Sequence, residues 1–286
     1  MEHAQQQQGF ATIGYLGFVV VAFAHAFTLM LRRSRVILAA VITFLPVLLP
    51  VALVFLTQTE FVIEGNTAFV HIMEKLYVRM LAPVLALFFA AMLVGEDVES
   101  QTIAYMLTRP TPRSAWVIGR YLAYCVLCGA LLFLSALLVF AGCLALPGFA
   151  LTAGRVLLLV QYLGILALAV PVYGAFCLFL GAFFMRPVVY GVLLIFGWQR
   201  FALLIPGLVD FFTIAKYLQT LFPAMAEVRG RAIFERRDDW NFQKVAVDVG
   251  DVWAVAILAG IILVFLAITV YAVRRREFSS TQAAGG

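Results

Sequence analysis

The chain has 286 residues, of which 64% are hydrophobic and 12% charged, and its mean hydropathy is +1.03. Soluble globular domains are about half apolar and a quarter charged, so this composition excludes a soluble fold. The net charge is +5, but the basic residues lie at the ends of apolar runs, where they orient a chain in a membrane. We therefore expect lipid rather than nucleic acid as the partner of this surface.

The first apolar run covers residues 10–31 and is followed at once by a basic cluster, Arg32-Arg33-Ser34-Arg35, and by a second apolar run, 36–57. Two antiparallel spans need a turn, and only these four residues are available for it. We interpret 36–57 as the first span and 12–33 as an interfacial helix on the cytoplasmic face. The alternative, in which 12–33 is an additional span and the N-terminus lies on the other side, stays open.

The rest of the chain predicts five further apolar segments that are long enough to cross a bilayer. The fold class is therefore an all-α, polytopic integral membrane protein in one transmembrane domain, with six transmembrane helices plus the N-terminal interfacial helix. A polar loop at 96–114 and a longer one at 209–251 interrupt the apolar pattern. The predicted spans after 36–57 are 76–95, 116–146, 156–182, 188–206 and 252–273.

Lysine and arginine counts in the short loops set the orientation. Placing the N-terminus inside gives the inner segments the basic clusters at residues 32–35 and 274–276, together with the arginines of the 96–114 loop. Both termini are then cytoplasmic, 96–114 is a cytoplasmic loop, and 209–251 is an external loop. Arg155 and Arg186, at the ends of spans, are interpreted as interfacial anchors.

The most informative segment is 95–121, GEDVESQTIAYMLTRPTPRSAWVIGRY. Three acidic residues precede Ser100, which suits the N-cap of a short helix, and negative charge at that position complements the helix dipole. Ile103 and Leu107 share one face of this helix, and Pro110 ends it. Such an amphipathic helix is suited either to dock a cytosolic partner or to anchor in the membrane interface.

This segment resembles the signature loop of the permeases of type-2, export-class ATP-binding-cassette (ABC) transporters. That family tends to show an acidic pair, Gly-Thr-Leu/Ile, Leu-Ser/Thr, Pro, Arg and then Gly-Lys. Here Gln101 replaces the glycine and Arg120 replaces the lysine. The matching positions are Glu96, Glu99, Thr102, Ile103, Leu107, Thr108, Pro110, Arg113 and Gly119.

The resemblance implies that the loop is a coupling element seated in a groove of a separate ATPase subunit. It also implies pairing with a second copy or a homologue, and location as a multi-pass protein in a bacterial plasma membrane. ATP and Mg would be bound by the partner, and no cofactor is expected in this chain. The residues implied in coupling are Glu96, Asp97, Glu99, Thr102, Ile103, Leu107, Arg109, Pro110 and Arg113.

The sequence contains no G-x-x-x-x-G-K-[ST] phosphate loop and no recognisable catalytic constellation, so we do not expect an enzyme. Two alternatives to the permease are an ion-gradient-driven secondary transporter and a membrane assembly scaffold. Cys125 and Cys128 form a C-x-x-C on one helix face, which suits a soft metal such as Cu(I). Packing as small apolar side chains is the favoured interpretation of these cysteines, and no metal is expected.

Overall fold

The computed structural model describes residues 14–56, 65–90, 93, 113–184, 186–198, 213–223 and 250–275. Within these ranges the chain is helical and contains no β-strand. The prediction of an all-α protein is confirmed for this part of the chain. Most of the 96–114 loop and most of the 209–251 loop lie outside it.

The N-terminal part forms α1 (Tyr15–Met30) and then a helix interrupted by a 3₁₀ turn. This interrupted helix consists of α2 (Arg33–Phe44), the 3₁₀ turn (Leu45–Val47) and α3 (Leu48–Leu56). Pro46 lies in the turn, and because proline has no backbone N–H it interrupts the α-helical hydrogen bonding there. The change from α-helical to 3₁₀ geometry is therefore encoded locally.

The next helical stretch begins with α4 (Gly65–His71), continues as a π-helix (Ile72–Leu81) and α5 (Ala82–Leu85), and ends in a second π-helix (Ala86–Ala90). The first eleven of these residues, 65–75, lie before the predicted span 76–95. The structure makes them helical because Gly65, Ala68, Phe69, Ile72 and Met73 form an apolar stripe at helical spacing, and all five are buried.

Two long helices follow, α6 (Arg113–Cys143) and α7 (Ala153–Phe183). A turn at residues 144–152 joins them, and Gly148 takes a positive φ of 76° there. The remaining elements are shorter, apart from the last helix. They are α8 (Pro187–Val192), a π-helix (Leu193–Trp198), α9 (Ile214–Thr220) and α10 (Asp251–Arg275).

Four described helices are long and apolar enough to cross a membrane: Arg35–Phe55, Arg113–Cys143, Ala153–Phe183 and Asp251–Val273. Two shorter apolar helices, Tyr15–Met30 and Pro187–Trp198, accompany them. The chain is therefore a helical, multi-pass membrane protein.

Helix α7 is the centre of the bundle. In the most apolar 18-residue segment of α7, 61% is buried inside the protein. The corresponding buried share is 22% for the helix at 35–55 and 17% for α10. The two less buried helices are therefore peripheral and present apolar faces outward. Among the described helices, the most extensive pairings join α1 to α6 and α7 to α10.

The two ends of the bundle are defined by contacts between distant segments. At one end, the N–H of Gly65 donates to the carbonyl of Pro147 in the α6–α7 turn, at 3.3 Å. We name this the Phe149 end. At the other end, the Arg120 side chain donates to the carbonyl of Leu93, and we name this the Arg120 end. The stretch 65–93 and α6 are therefore antiparallel neighbours, and the intervening loop departs and returns at the Arg120 end.

Candidate functional site

Most of the residues implied in coupling lie outside the described residues. These are Glu96, Asp97, Glu99, Thr102, Ile103, Leu107, Arg109 and Pro110. Arg113 is described and lies half-buried in the first turn of α6. Gly119 and Arg120 follow in the next two turns, so the structure shows one flank of the segment that carries the family resemblance.

Arg120 is the largest fully buried side chain in the described protein, with 1% of its surface exposed. Its Nη1 donates to the Leu93 carbonyl, and its guanidinium lies over the Trp116 ring, 4.1 Å from the ring centroid. Trp116 is one turn earlier on α6, so the helix itself supplies the aromatic face. The side chain thus ties the start of α6 to the end of the preceding helical stretch.

A buried guanidinium loses its hydration, and hydrogen bonds and contacts with other groups must compensate for that loss. The Leu93 carbonyl and the Trp116 ring provide two such contacts for Arg120.

Helix α1 packs beside the same part of α6. Tyr15 Oη donates to Ser114 Oγ at 3.3 Å, and a Cβ on Gly119 would stand 2.7 Å from both the Val19 carbonyl oxygen and the Ala22 Cβ. Residue numbers increase in the same direction along both helices from the first contact to the second, so α1 and α6 run parallel. Glycine at 119 is needed because the backbone of α1 occupies the space of a side chain.

A second polar centre lies toward the Phe149 end. Tyr162 Oη on α7 donates to Glu74 Oε1 on the first π-helix, at 2.9 Å. Tyr162 is fully buried and Glu74 is half-buried. Glu74 and Asp251 are the two carboxylate side chains among the described residues, and Asp251 is exposed at the start of α10. Glu74 is thus the described carboxylate that lies within the bundle.

Aromatic rings surround the Glu74–Tyr162 pair. Phe69 meets Tyr162 edge-on with the ring centroids 6.0 Å apart, and Phe222, just after α9, lies 6.3 Å from Tyr162. Phe140 and Phe149 extend the group at 5.5 and 6.0 Å from Phe69. We name these five residues, Phe69, Phe140, Phe149, Tyr162 and Phe222, the aromatic cluster.

Arg155 closes the aromatic cluster at the Phe149 end. Its guanidinium lies over the Phe149 ring, 4.7 Å from the centroid, and donates to the carbonyls of Ala150 and Gly148. Sequence analysis interpreted Arg155 as an interfacial anchor. The structure adds that it holds the α6–α7 turn in place by satisfying two of the turn's carbonyls.

Hydrogen bonds in the bundle interior join α6 to three other segments. Ser135 Oγ donates to the Thr43 carbonyl at 2.6 Å, and Tyr77 Oη lies 2.5 Å from the same Ser135 oxygen. Because the single Ser135 proton goes to the carbonyl, Tyr77 must be the donor in the second bond. On the opposite side, Tyr121 and Tyr124 donate to the carbonyls of Pro171 and Val170 in α7.

The cysteines of the C-x-x-C are free thiols, with Cys128 buried and Cys125 half-buried. Across the described ranges, no three His, Cys, Asp or Glu side chains come together in a group suited to a metal ion. The Cys125 thiol lies beside the Tyr121 hydroxyl, one turn earlier on α6, and Cys128 is fully buried. Their packing in the described structure fits the interpretation as small apolar side chains.

The pairing of Glu74 with Tyr162 could not be predicted from the sequence, because the two residues are 88 positions apart. The sequence does, however, indicate that Glu74 is unusual. Glu74 shares a helical face with Val78, Leu81 and Leu85, at spacings of four, seven and eleven, and all three of these neighbours are buried. A carboxylate on an apolar helix face is a candidate functional residue by default.

Comparison with curated proteins gives no match. A family profile described as "Protein of unknown function (DUF2705)" matches residues 18–279. The match begins inside α1 and ends just beyond α10, so it includes both polar centres and the loop between them. The chain belongs to the DUF2705 family.

Proposed function

We propose that this protein is the membrane-spanning permease subunit of an ABC transporter of the type-2, export class. The observation that carries the proposal is the segment from Glu96 to Arg120, whose residues resemble the coupling loop of that family. In this function the chain moves substrate, while a separate ATPase subunit binds ATP and Mg and hydrolyses the nucleotide.

The geometry at the Arg120 end supports this role for the loop. Arg120 is bonded to Leu93 on one flank of the loop and stacked on Trp116 on the other. A force applied to the loop by a moving ATPase would therefore reach two helices together, because the buried arginine links them. Coupling needs such a stiff connection, since a loosely attached loop would absorb the motion.

Helix lengths and the contacts of α1 support a start of α1 at the level of the cytoplasmic interface. Helix α6 has 31 residues and is about 46 Å long, whereas the hydrocarbon core is about 30 Å thick. About ten residues of α6 therefore project beyond the core. The contacts of α1 with Ser114 and Gly119 fall on the first turns of α6, beside Arg113. A 16-residue apolar helix that starts at that level and runs parallel to α6 extends from the cytoplasmic interface along α6 instead of lying flat on the membrane surface.

The proposed topology has six spans with both termini in the cytoplasm of a bacterial cell. The four candidate spans already described are joined by the helical stretch 65–90 and by the segment that begins at Pro187. A second permease copy or a homologue would complete the transporter, and the peripheral helices 35–55 and α10 offer apolar faces for lipid or for that partner.

The test is purification of the tagged full-length chain from membranes of its native host in mild detergent. We expect an ATPase subunit with a phosphate-loop motif to co-purify and the complex to hydrolyse ATP. Recovery of the folded chain alone, without ATPase activity, from a mild purification would contradict the proposal.

A matched pair of variants tests the loop. We expect Glu96→Ala with Glu99→Ala to abolish ATPase co-purification and transport while leaving the unfolding temperature of the permease unchanged. Asp238→Ala with Asp239→Ala removes the same charge from the 209–251 loop, predicted to lie on the other side of the membrane, and should retain both. Equal behaviour of the two double variants would remove the coupling role from the 96–114 loop.

A second candidate function is an ion-gradient-driven secondary transporter, and Glu74 is the observation that favours it. A carboxylate within the bundle is a common element of ion-coupled transport. Reconstitution of the purified chain in vesicles without an ATPase distinguishes the secondary transporter from the ABC permease. Substrate movement driven by an imposed proton or sodium gradient alone, and lost in Glu74→Gln, would replace the permease proposal with this one.

A further inference from the structure

Helix α7 contains a proline near its middle. Pro171 lies inside the helix Ala153–Phe183 and has no backbone N–H. The Ala167 carbonyl therefore lacks the donor that an α-helix supplies from four residues later. Gly174, less than one turn after Pro171, adds no side chain to this part of the helix. Because kinks in helices occur where the hydrogen bonding is interrupted, this turn is the place at which α7 can change direction.

Two tyrosines of α6 hold this turn of α7. Tyr121 Oη donates to the Pro171 carbonyl at 3.1 Å, and Tyr124 Oη donates to the Val170 carbonyl at 3.2 Å. The Tyr124 ring also lies against Gly174, where a Cβ would stand 2.7 Å from its Cδ1. Both tyrosines are buried, and we name them the tyrosine pair. The tyrosine pair thus fixes α7 to α6 at the turn where the hydrogen bonding of α7 itself is interrupted.

The two halves of α7 contact different elements. In the half before the proline, Tyr162 belongs to the aromatic cluster and bonds to Glu74. In the half after it, Phe176 and Phe179 pack against Phe265 of α10, with ring centroids 5.3 and 5.2 Å apart. A change of direction at the proline would therefore move α10 relative to the aromatic cluster.

Space for this movement exists beside both helices. Gly164, Ala167 and Pro171 lie on one face of α7, since they are spaced by three and four residues. Gly164 and Ala167 are exposed, and a Cβ on Gly164 would meet no described atom within 4 Å. In α10, 17% of the most apolar segment is buried. Helix α10 therefore borders lipid over most of its surface and can shift without breaking a large packed interface.

We propose that α7 is hinged at residues 171–174 and that the tyrosine pair holds it in the described conformation. When the two tyrosine bonds open, the part of α7 after the hinge swings together with α10. The part before the hinge stays with the aromatic cluster. The hinge itself does not rest on the proposed function, but its use in transport does. Tyr121 directly follows Arg120, so a displacement of the 96–114 loop would reach the tyrosine pair through the first turns of α6.

The test measures distances in the full-length protein in nanodiscs by double electron–electron resonance. Spin labels attached to p-acetylphenylalanine leave the four native cysteines unchanged. One pair of labels crosses the hinge, from Leu157 on α7 to Leu263 on α10, and both positions are exposed. The reference pair joins Leu157 to the exposed Met80, which lies on the first π-helix beside the half of α7 before the hinge.

The double variant Tyr121→Phe with Tyr124→Phe keeps both rings and removes both hydroxyls. Phe265 contacts α7 about 10 Å past the proline, so a bend of about 20° would move α10 there by about 3 Å. We expect the hinge-crossing distance to shift or broaden by about that amount, and the reference distance to stay at its wild-type value. Tyr190→Phe removes an exposed hydroxyl from α8 and should change neither distance.

Restoration by alanine separates a hinge from a general loss of packing. Pro171→Ala supplies an N–H for the Ala167 carbonyl and closes the gap in the hydrogen bonding. Added to the double phenylalanine variant, it should restore the wild-type distribution of the hinge-crossing distance, although both hydroxyls are still absent. A merely structural role of the tyrosine bonds predicts no such restoration.

Unfolding temperatures show which variants are folded. If the double variant is unfolded, Tyr124→Phe and Pro171→Ala decide singly. The first should shift the hinge-crossing distance, and the second should slow hydrogen exchange of residues 172–175 about threefold. Pro187→Ala, at the first position of α8 where an N–H has no helical partner, should leave that exchange unchanged.

Three results would overturn the hinge. They are an unchanged hinge-crossing distance in the folded variants, an equal change in the reference distance, and failure of Pro171→Ala to restore the wild-type distribution or to slow exchange. Any of them would leave the ABC permease proposal standing. Absence of an ATPase partner, in turn, would leave the measured hinge standing.

Discussion

Ser135 Oγ in α6 donates a hydrogen bond of 2.6 Å to the backbone carbonyl of Thr43 in α2. Thr43 is next to last in α2, where the final carbonyls of an α-helix have no partner within the helix. The 3₁₀ turn that contains Pro46 follows immediately. Because Tyr77 donates to the same serine, one side chain joins three segments of the bundle.

The Ser135→Ala variant should therefore lose two interhelical hydrogen bonds. Such bonds contribute about 0.6 kcal/mol each in membrane proteins and at most about 1.7, so we expect destabilisation of about 1–3 kcal/mol. Thr269→Val is the control, because the buried Thr269 hydroxyl bonds within its own helix to Phe265. The free energy of unfolding in mixed micelles is the measurement, and equal losses in the two variants would contradict the interhelical role.

Gly174 in α7 allows the Tyr124 ring to approach the helix. A Cβ at position 174 would stand 2.7 Å from Cδ1 of that ring, which is fully buried and bonded to Val170. We expect Gly174→Ala to destabilise the protein by about 1–3 kcal/mol through overpacking. A Cβ added to Gly164 on the same helix would meet nothing within 4 Å, so Gly164→Ala should be neutral or stabilising by up to about 1 kcal/mol.

A double variant shows whether the cost of alanine at position 174 comes from the clash with the Tyr124 ring or from a general effect on α7. Tyr124→Ala with Gly174→Ala removes the ring that the new methyl group would strike. The added cost of the alanine at 174 should then disappear in unfolding measurements made on the Tyr124→Ala background. Persistence of that cost without the ring would show that the contact with Tyr124 is not its cause.

Gly119 determines how closely α1 approaches α6. A Cβ added there would meet the backbone of α1 at Val19 and Phe23, and backbone atoms cannot rotate aside. Gly119→Ala should therefore push α1 away and speed trypsin cleavage at the exposed Arg32 and Arg33 severalfold. Gly129→Ala on the same helix meets nothing within 4 Å and should leave the cleavage rate at the wild-type value. Identical rates for the two variants would show that α1 does not depend on this contact.

Arg155 should stabilise the turn between α6 and α7. Arg155→Ala loses the bonds to Gly148 and Ala150 and the contact with Phe149, so we expect a loss of about 1–3 kcal/mol. Arg155→Lys keeps a cation over the Phe149 ring but cannot donate to both carbonyls as the guanidinium does. It should therefore lose less stability than Arg155→Ala. Hydrogen exchange of residues 147–152 is the local measurement. Unchanged exchange in Arg155→Ala would contradict a clamping role.

Local sequence patterns were sufficient to predict several of the helices. Long apolar runs predict spanning helices because an isolated helix must satisfy its own backbone in lipid, and α6, α7 and α10 lie on three of the predicted runs. The 3₁₀ turn at Pro46 was not predicted, although its cause is similarly local. The apolar stripe from Gly65 to Met73 also predicts a helix, although the polar neighbours His71 and Glu74 obscured it.

The sequence predicted that Arg120 lies near the end of a span, but it did not predict which groups surround the side chain. Its basic charge near a span end predicts an interfacial residue, whereas the structure shows a buried guanidinium held by Trp116 and the Leu93 carbonyl. Trp116 lies one turn earlier and could be expected as a neighbour. Leu93 comes from another helix, and no local pattern specifies which carbonyl a side chain will reach.

The sequence by itself determined that this protein resides in a membrane, because hydropathy depends on composition along a segment and needs no knowledge of partners. It also marked the 96–120 segment by its residue types. The tertiary structure alone decided that Glu74 meets Tyr162 and that Ser135 meets Thr43, since helical periodicity tells which face a residue occupies but not which helix that face contacts. Those pairings follow from packing of the whole bundle around α7, where each contact depends on all the others.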